Sequence, residues 1–299
     1  MIGHERATTS GSPHASTFSI VACDLDRRRW GVAVVSRFPA VGALCAWAQA
    51  EVGAVATQSW IKASHGERGL RLMSEGLTAP EALDRLLTDD EGSSQRQLGL
   101  IDCDGRTASH TGEACLGWAG ARAGPGYAAQ GNMLVSEDTI ARLAETFEAG
   151  SELPLADRMM RALVAAEAAG GDRRGKQAAA LRVVGSGGGY GGADIVVDLR
   201  VDDHHEPIAE LERLLELHEF HFGSTPEDQW LPVDDGLRAE LRDRLEAMGH
   251  ASGDLVGDLE NWAAIVNLEE RVEGADRIDP VVLEHLRRTG SASESPPGG

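Results

Sequence analysis

Thr17-Phe18-Ser19-Ile20-Val21-Ala22-Cys23, then Asp24-Leu25-Asp26 and three arginines, then Trp30-Gly31-Val32-Ala33-Val34-Val35-Ser36, is the stretch on which the fold turns. Two β-branched, apolar runs around a polar turn spell a β-hairpin. Both runs are apolar at successive positions rather than at alternate ones, as in strands covered by other layers on both faces. Two further runs of small apolar residues, over 42–48 and 52–60, read as strands of the same kind.

Outward from the hairpin, Thr78-Ala79-Pro80-Glu81 is a capping box with proline in the first turn, opening a helix to about residue 87. Strands are expected over 97–102 and 107–111, joined by a turn containing Asp104-Gly105. Ser136 heads a helix with Ile140, Leu143, Ala144 and Phe147 at helical spacing, and a second helix spans 155–168. Late strands over 178–184 and 194–201 flank a glycine-rich loop, and a helix over 207–221 follows. Strands and helices come in blocks without βαβ alternation. The order predicts an α+β domain of stacked sheets flanked by helices, not a doubly wound parallel sheet.

The formal net charge of −20 is unevenly spread, −6 over residues 1–205 and −14 over 206–299. So sharp a shift indicates two units. The expected organisation is a disordered leader (1–16), a domain (17–222), a linker (223–230), a small all-α module (231–288) and a disordered tail (289–299). In the module Leu237, Leu241, Leu245 and Met248 form one stripe, and Asp279-Pro280 starts a last helix. A strongly acidic chain is a poor nucleic-acid binder, because such binding depends on Lys and Arg displacing counterions. No apolar run approaches membrane-spanning length and the first residues carry no signal pattern, so the expectation is a cytoplasmic protein with no membrane partner. The four cysteines share no metal-ligand spacing and read as free thiols. Only two of the basic residues are lysines, Lys62 and Lys176.

A threonine opening a β-hairpin after a dispensable leader is the arrangement an N-terminal nucleophile needs. Once freed, Thr17 has a hydroxyl nucleophile and, on the same residue, an α-amine with a pKa of about 8 as its base. The plain alternative is that a β-branched residue begins a strand. Ser36 and Gln58 end apolar runs expected to pair near the first strand, so they either face Thr17 or tie off strand ends. His110 ends another strand, as a substrate contact or a structural side chain. Asn132, after Gly131, is either an oxyanion donor or a turn residue. Asp172, Arg174 and Lys176 concentrate charge in a loop after two glycines, where they grip a substrate carboxylate or pair with one another. The run 187–192 lacks both the dinucleotide and the P-loop fingerprints. Asp202, Asp203, His204, His205, His218 and His221 have residue types that could hold zinc, but His218 falls on an apolar stripe and the acids open a helix, so neither metal nor cofactor is expected.

Blocks in the same order resemble the DUF1028 family: the hairpin with Arg37-Phe38 and Ala40-Val41-Gly42, Val52-Gly53-Ala54-Val55-Ala56-Thr57-Gln58, His110-Thr111-Gly112, Gln130-Gly131-Asn132-Met133-Leu134, residues 170–177 and residues 198–204. The resemblance implies a four-layer αββα sandwich like that of the N-terminal nucleophile (Ntn) hydrolases. By superfamily analogy it also implies an amidohydrolase acting on a small-molecule or peptide amide. On that reading the candidates singled out by position and chemistry are Thr17 as nucleophile with Asn132 or backbone amides as oxyanion donors, and Ser36, Arg37, Gln58, His110, Asp172, Arg174 and Lys176 as substrate contacts. The alternative is a catalytically inactive binding protein on the same fold. Relatives commonly begin at or near the threonine, whereas sixteen residues precede Thr17: either activation needs scission after Ser16, or translation starts nearer the threonine, or the protein is catalytically silent. Arg37 stands where relatives usually carry lysine, and arginine cannot give up its proton. Two-sided apolar strands in this superfamily often accompany homo-oligomers. Asn261-Trp262, residues 267–271 and Ile278-Asp279-Pro280 resemble a peptidoglycan-binding module, which implies a wall fragment as partner; so acidic a module would not attract anionic wall polymers.

Overall fold

A computed structural model of the chain describes residues 17–289; the leader 1–16 and the tail from residue 290 lie outside the described residues. The expected hairpin forms. β1 (Thr17–Asp24) and β2 (Arg29–Ser36) pair antiparallel from Thr17↔Ser36 to Asp24↔Arg29. Arg28 turns the chain in the left-handed region at φ 51°, and the Asp24 carboxylate accepts from the Arg27 N–H at 3.0 Å.

Residues 42–48 do not form the single strand expected of them. They split into α1 (Val41–Cys45) and β3 (Ala46–Gln49), and β4 (Gly53–Ser59) follows. The Ala40 N–H donates to Asp202 O at 2.8 Å and Ala40 takes φ 52°, which starts a single helical turn. There Gly42 packs so closely that a Cβ would lie 2.4 Å from the Ala180 methyl. Five small apolar residues carry the same pattern for either structure.

α2 (Ser64–Ser74) has no sequence signal, because no side chain caps it and two glycines lower its helix propensity. Packing requires at least one of them: a Cβ on Gly66 would lie 2.0 Å from the Trp47 ring. α3 (Ala79–Thr88) opens on the expected capping box, with the Thr78 N–H on the Glu81 carboxylate at 2.8 Å. Next come β5 (Arg96–Asp102), β6 (Thr107–Thr111), β7 (Trp118–Gly124), β8 (Tyr127–Leu134), α4 (Asp138–Ala149), α5 (Leu155–Ala168), β9 (Ala178–Val184), β10 (Ile195–Val201) and α6 (Pro207–Phe222).

Two antiparallel sheets result. One has six strands in the order β10-β9-β2-β1-β8-β7, the other four in the order β3-β4-β5-β6. Val21, Trp30, Val32 and Val34 of the first pack against Ala54, Ala56 and Ile101 of the second in an apolar cluster between the sheets. On the far face of the four-stranded sheet, Leu70, Met73, Leu83 and Leu86 of α2 and α3 cover Val55, Leu98 and Leu100. α4 lies on β7 and β8, and α5 on β1, β2 and β9. Every residue of β1 is buried, so its odd and even side chains both meet protein.

The chain divides into two units between Leu214 and Leu215, within α6. The second is helical apart from a two-residue ladder between β11 (Leu231–Pro232) and β12 (Arg277–Ile278). Its helices are α7 (Asp235–Ala247), α8 (Leu255–Ile265) and α9 (Pro280–Thr289). Asp234 and Asp254 cap the first two through the Leu237 and Val256 N–H groups, and Asp279 accepts from the Val281 N–H at 2.8 Å. Leu241 and Leu245 of the expected stripe meet Leu259, Trp262 and Leu283 in its core. Arg271 and Asp279 form a buried ion pair at 2.8 Å, and Arg271 Nε donates to Phe220 O at 2.9 Å.

Candidate active site

The site is built on strand register. β1 lies between β2 and β8, which places Thr17 directly between Ser36 and Asn132. The next strand out sets Ala178 beside Ser36. Thr17, fully buried at 0% exposure, has its Oγ1 3.1 Å from Ser36 Oγ.

Alternation puts Thr17 and Ser19 on the face of β1 that meets the second sheet, together with Gln130 and Asn132 of β8. Gln58 of β4 and Gln97 of β5 meet them there. Ser19 Oγ donates to Gln58 Oε1 at 2.7 Å, and Gln58 Nε2 donates to Gln97 Oε1 at 2.8 Å. Asn132 Nδ2 donates to the same Gln97 oxygen at 2.9 Å. Gln97 Nε2 reaches Thr111 Oγ1 at 2.9 Å and Gly131 O at 2.8 Å. Gln130 Nε2 donates to Ser19 Oγ at 2.6 Å, and its head occupies space that only Gly99 leaves: a Cβ there would lie 2.1 Å from Gln130 Oε1. The result is a neutral, hydrogen-bonded patch within the otherwise apolar space between the sheets, with Thr17 at its edge.

The structure therefore brings Thr17, Ser36, Asn132 and Gln58 together. It does not bring His110 to them. His110 pairs with Leu98, on the helix-covered face of its sheet, and its Nε2 lies 2.9 Å from Ser93 O. Asp172, Arg174 and Arg37 meet at the end of the six-stranded sheet. The Asp172 carboxylate accepts from the Arg37 N–H at 3.1 Å, from the Arg174 N–H at 2.8 Å and from Arg174 Nη2 at 3.1 Å. This loop thus contains the internal Asp–Arg pair. Lys176 Nζ is held by Glu206 at 2.5 Å and Glu167 at 3.3 Å, and the Glu206 hydrogen bond raises its pKa, so it stays charged.

The other lysine, Lys62, lies 3.1 Å from Asp90, which also binds Arg96 Nε at 2.7 Å and His65 Nε2 at 2.9 Å. Burial alone would raise the Asp90 carboxyl, but the hydrogen bonds from Arg96, His65 and Lys62 outweigh it and hold the carboxyl far below the usual range. Burial lowers the pKa of His65, with Asp90 opposing, so the pair reads as carboxylate and neutral imidazole. Both ammonium groups are committed to carboxylates.

Gln97, Gln130, Ser19 and Thr111 were missed as site residues. For Ser19, Gln97 and Gln130 a signal was present, polar side chains within largely apolar strands on the faces that the register brings together; Thr111, in the polar strand β6, had none. Among the described residues no group of three His, Cys, Asp or Glu is placed to hold a metal ion. Of the histidines weighed for zinc, His204 stacks on His205 at 4.3 Å and His221 Nδ1 lies 3.0 Å from Asn267 O. No helix among the described residues is long and apolar enough to cross a membrane.

Residues 17–211 match the model described as "Family of unknown function (DUF1028)", and residues 225–286 match that described as "Putative peptidoglycan binding domain". The chain belongs to the DUF1028 family. It is similar to the crystal structure of protein SPO2555 from Silicibacter pomeroyi, itself assigned to that family. The TM-score is 0.62 at 28% identity, over 71% of this chain and 91% of that one. No curated protein matches the chain.

Proposed function

We propose that the first unit is an Ntn-type amidohydrolase on an αββα sandwich, cleaving a small or peptide-like amide. The observation that carries this reading is the place of Thr17. It is the first residue of a strand at the centre of a six-stranded sheet, with Ser36 on one side, Asn132 on the other, and its hydroxyl 3.1 Å from that of Ser36. Hydrolysis of the Ser16–Thr17 bond, consuming one water, frees the α-amine. Thr17 Oγ then adds to the substrate carbonyl while the α-amine takes its proton and passes it to the leaving amine. Asn132 stabilises the oxyanion. Water hydrolyses the resulting threonyl ester, releasing the acid and restoring the hydroxyl. Gln97, through its bonds to Asn132 and Gln58, is a positioning residue.

N-terminal sequencing and intact mass of the purified protein test this first. A species beginning at Thr17 that hydrolyses amides, with activity abolished in Thr17→Ala, supports it. A full-length chain with no activity distinguishable from Thr17→Ala refutes it.

One observation favours a second reading. In the full chain the Thr17 hydroxyl is wholly buried, as suits a binding protein that keeps the fold without the chemistry. A cleft of about 250 Å³ in the second unit, lined by Arg242, Leu245, Glu246, His250, Leu255 and Asp258, offers such a protein a place for a wall fragment. Muropeptide binding that persists in Thr17→Ala and is lost in Arg242→Ala would favour it.

A further inference from the structure

A cleft of about 440 Å³ opens at the end of the six-stranded sheet, one residue beyond the Ser36–Thr17 pair. Its walls include Arg37, Lys176, Gln177, Asp203, His204 and His205. The volume falls within the ~300–1,000 Å³ of small-molecule sites. Its floor is joined to the candidate nucleophile by backbone bonds: the Gln177 N–H donates to Ser36 O at 3.0 Å, and the His204 N–H to Gln177 O at 2.8 Å.

The donors and acceptors of this cleft are unequally occupied. Its carboxylates already have partners. Asp203 Oδ1 accepts from Gln177 Nε2 at 3.0 Å, while Glu206 and Glu167, beside the cleft, share the Lys176 ammonium. The cationic side is less used. The Arg37 side chain is exposed and, among the described residues, donates through Nη1 alone, to Arg174 O at 3.2 Å. His204 Nδ1 accepts from the Glu206 N–H at 3.1 Å, which fixes the neutral tautomer with the proton on Nε2. The His205 ring stacks on His204 at 4.3 Å and makes no hydrogen bond among the described residues. In a chain of net charge −20, a concave patch whose carboxylates are already paired, and which keeps guanidinium and imidazole N–H donors, is a place where an anion meets donors rather than bare carboxylates.

We propose that this cleft binds a carboxylate, and that the substrate of the neighbouring Thr17 is an amide carrying one on the part that extends past Ser36. Arg37 takes the carboxylate through Nε and Nη2, the fork geometry that an arginine offers and a lysine does not. His204 Nε2 donates a further bond, and the Lys176 charge lies behind. The substrate class rests on the hydrolase reading; the anion site does not.

The test uses the full chain carrying Thr17→Ala, so that binding is read without turnover, titrated with glutarate against matched sodium chloride. Two readouts are followed: heat of binding, and the ring-proton NMR signals of the histidines. Saturable binding that shifts the His204 and His205 signals, and weakens about tenfold or more when Arg37→Gln is added, supports the proposal. His204→Gln is the second variant and is expected to weaken binding several-fold; thermal melting establishes that each variant is folded. No binding, or binding that neither substitution changes, overturns it. Inorganic phosphate that binds the same residues more tightly than glutarate overturns the carboxylate assignment in favour of a phosphate ester. If glutarate binds as expected while no species beginning at Thr17 is found, the hydrolase reading fails and the anion site stands.

Discussion

Gln97 is the side chain on which the candidate site depends most, and its removal is the sharpest test of how the two sheets are joined. Its amide makes four bonds of 2.8–2.9 Å, to Gln58, Asn132, Thr111 Oγ1 and Gly131 O, and a fifth of 3.2 Å to Gly120 O. After Gln97→Ala the nearest remaining acceptors for Gln58 Nε2 are Gln130 O at 3.3 Å and Thr17 O at 3.5 Å, both at the weak end of hydrogen bonding. Each buried bond lost costs about 1 kcal/mol net, and a water entering the polar space recovers part of the sum, so a loss of about 3 kcal/mol is expected. Native-state hydrogen exchange on peptides covering β1, β5 and β8 reads it directly, free of the second unit's unfolding. The pairing is checked by a double-mutant cycle with Gln58→Ala, which should show a coupling of about 1 kcal/mol. A cost under about 1 kcal/mol for Gln97→Ala, or additivity within about 0.5 kcal/mol, would refute the claim that these amides form one network.

Gly99→Ala is expected to destabilise by ~1–3 kcal/mol through overpacking against Gln130 Oε1, and Gln130→Ala in the same chain should relieve part of that loss in thermal melting. Stability should fall on acidification in two stages. Below the ordinary histidine value of 6.5 the unfolded chain takes up a proton that His65, its pKa lowered, refuses in the folded state. Below 3.8 the unfolded chain protonates at the position where folded Asp90 stays ionised, and stability continues to drop towards the folded pKa. Melting temperatures from pH 7 to pH 3 should show both stages, and Asp90→Asn should shrink the second, to which Asp24, Asp89 and Glu240, also lowered by their arginine partners, contribute as well. Arg271→Met leaves the Asp279 carboxylate buried without its ion pair and should cost ~3–5 kcal/mol, read as lost exchange protection in α9; adding Asp279→Leu should restore much of it.

The hairpin, the capping box of α3 and the helix over 155–168 were legible because each is specified locally, by a period, a cap or a polar turn. α2 was not, since its Gly66 serves the Trp47 ring, a contact no local pattern announces. β7 and β8 are equally quiet. Trp118-Ala119-Gly120-Ala121-Arg122-Ala123-Gly124 has little β propensity, and Gly131 is needed where a Cβ would lie 2.5 Å from Leu134 Cδ1. For the site, chemistry was legible and placement was not. Ser36 was expected beside Thr17 from the pairing of the two hairpin runs, whereas Asn132 was singled out by type, and its place on the other side of Thr17 is a fact of register. His110 shows the converse. It is a chemically apt residue, yet one position along β6 decides the face, and it falls on the side away from Thr17.

That separation leaves few bases for the proposed chemistry, and so yields the strictest prediction. The layer around Thr17 is made of hydroxyls and carboxamides, none of which accepts a proton near neutral pH. Lys62 and Lys176 are bound to carboxylates, Arg37 does not deprotonate, and the His110 ring lies on Ser93 O. In the full chain the Thr17 nitrogen is a peptide amide and its hydroxyl is wholly buried. On the proposed reading, scission before Thr17 would do more than trim the chain: among the described residues it would create the one group beside the hydroxyl that can take its proton. Amide hydrolysis should be absent from a full-length preparation blocked at Ser16→Pro. It should appear in protein produced to begin at Thr17, rising with pH through the α-amine pKa of about 8. Turnover by the blocked chain at the rate of the processed one would show that the base is not the Thr17 amine.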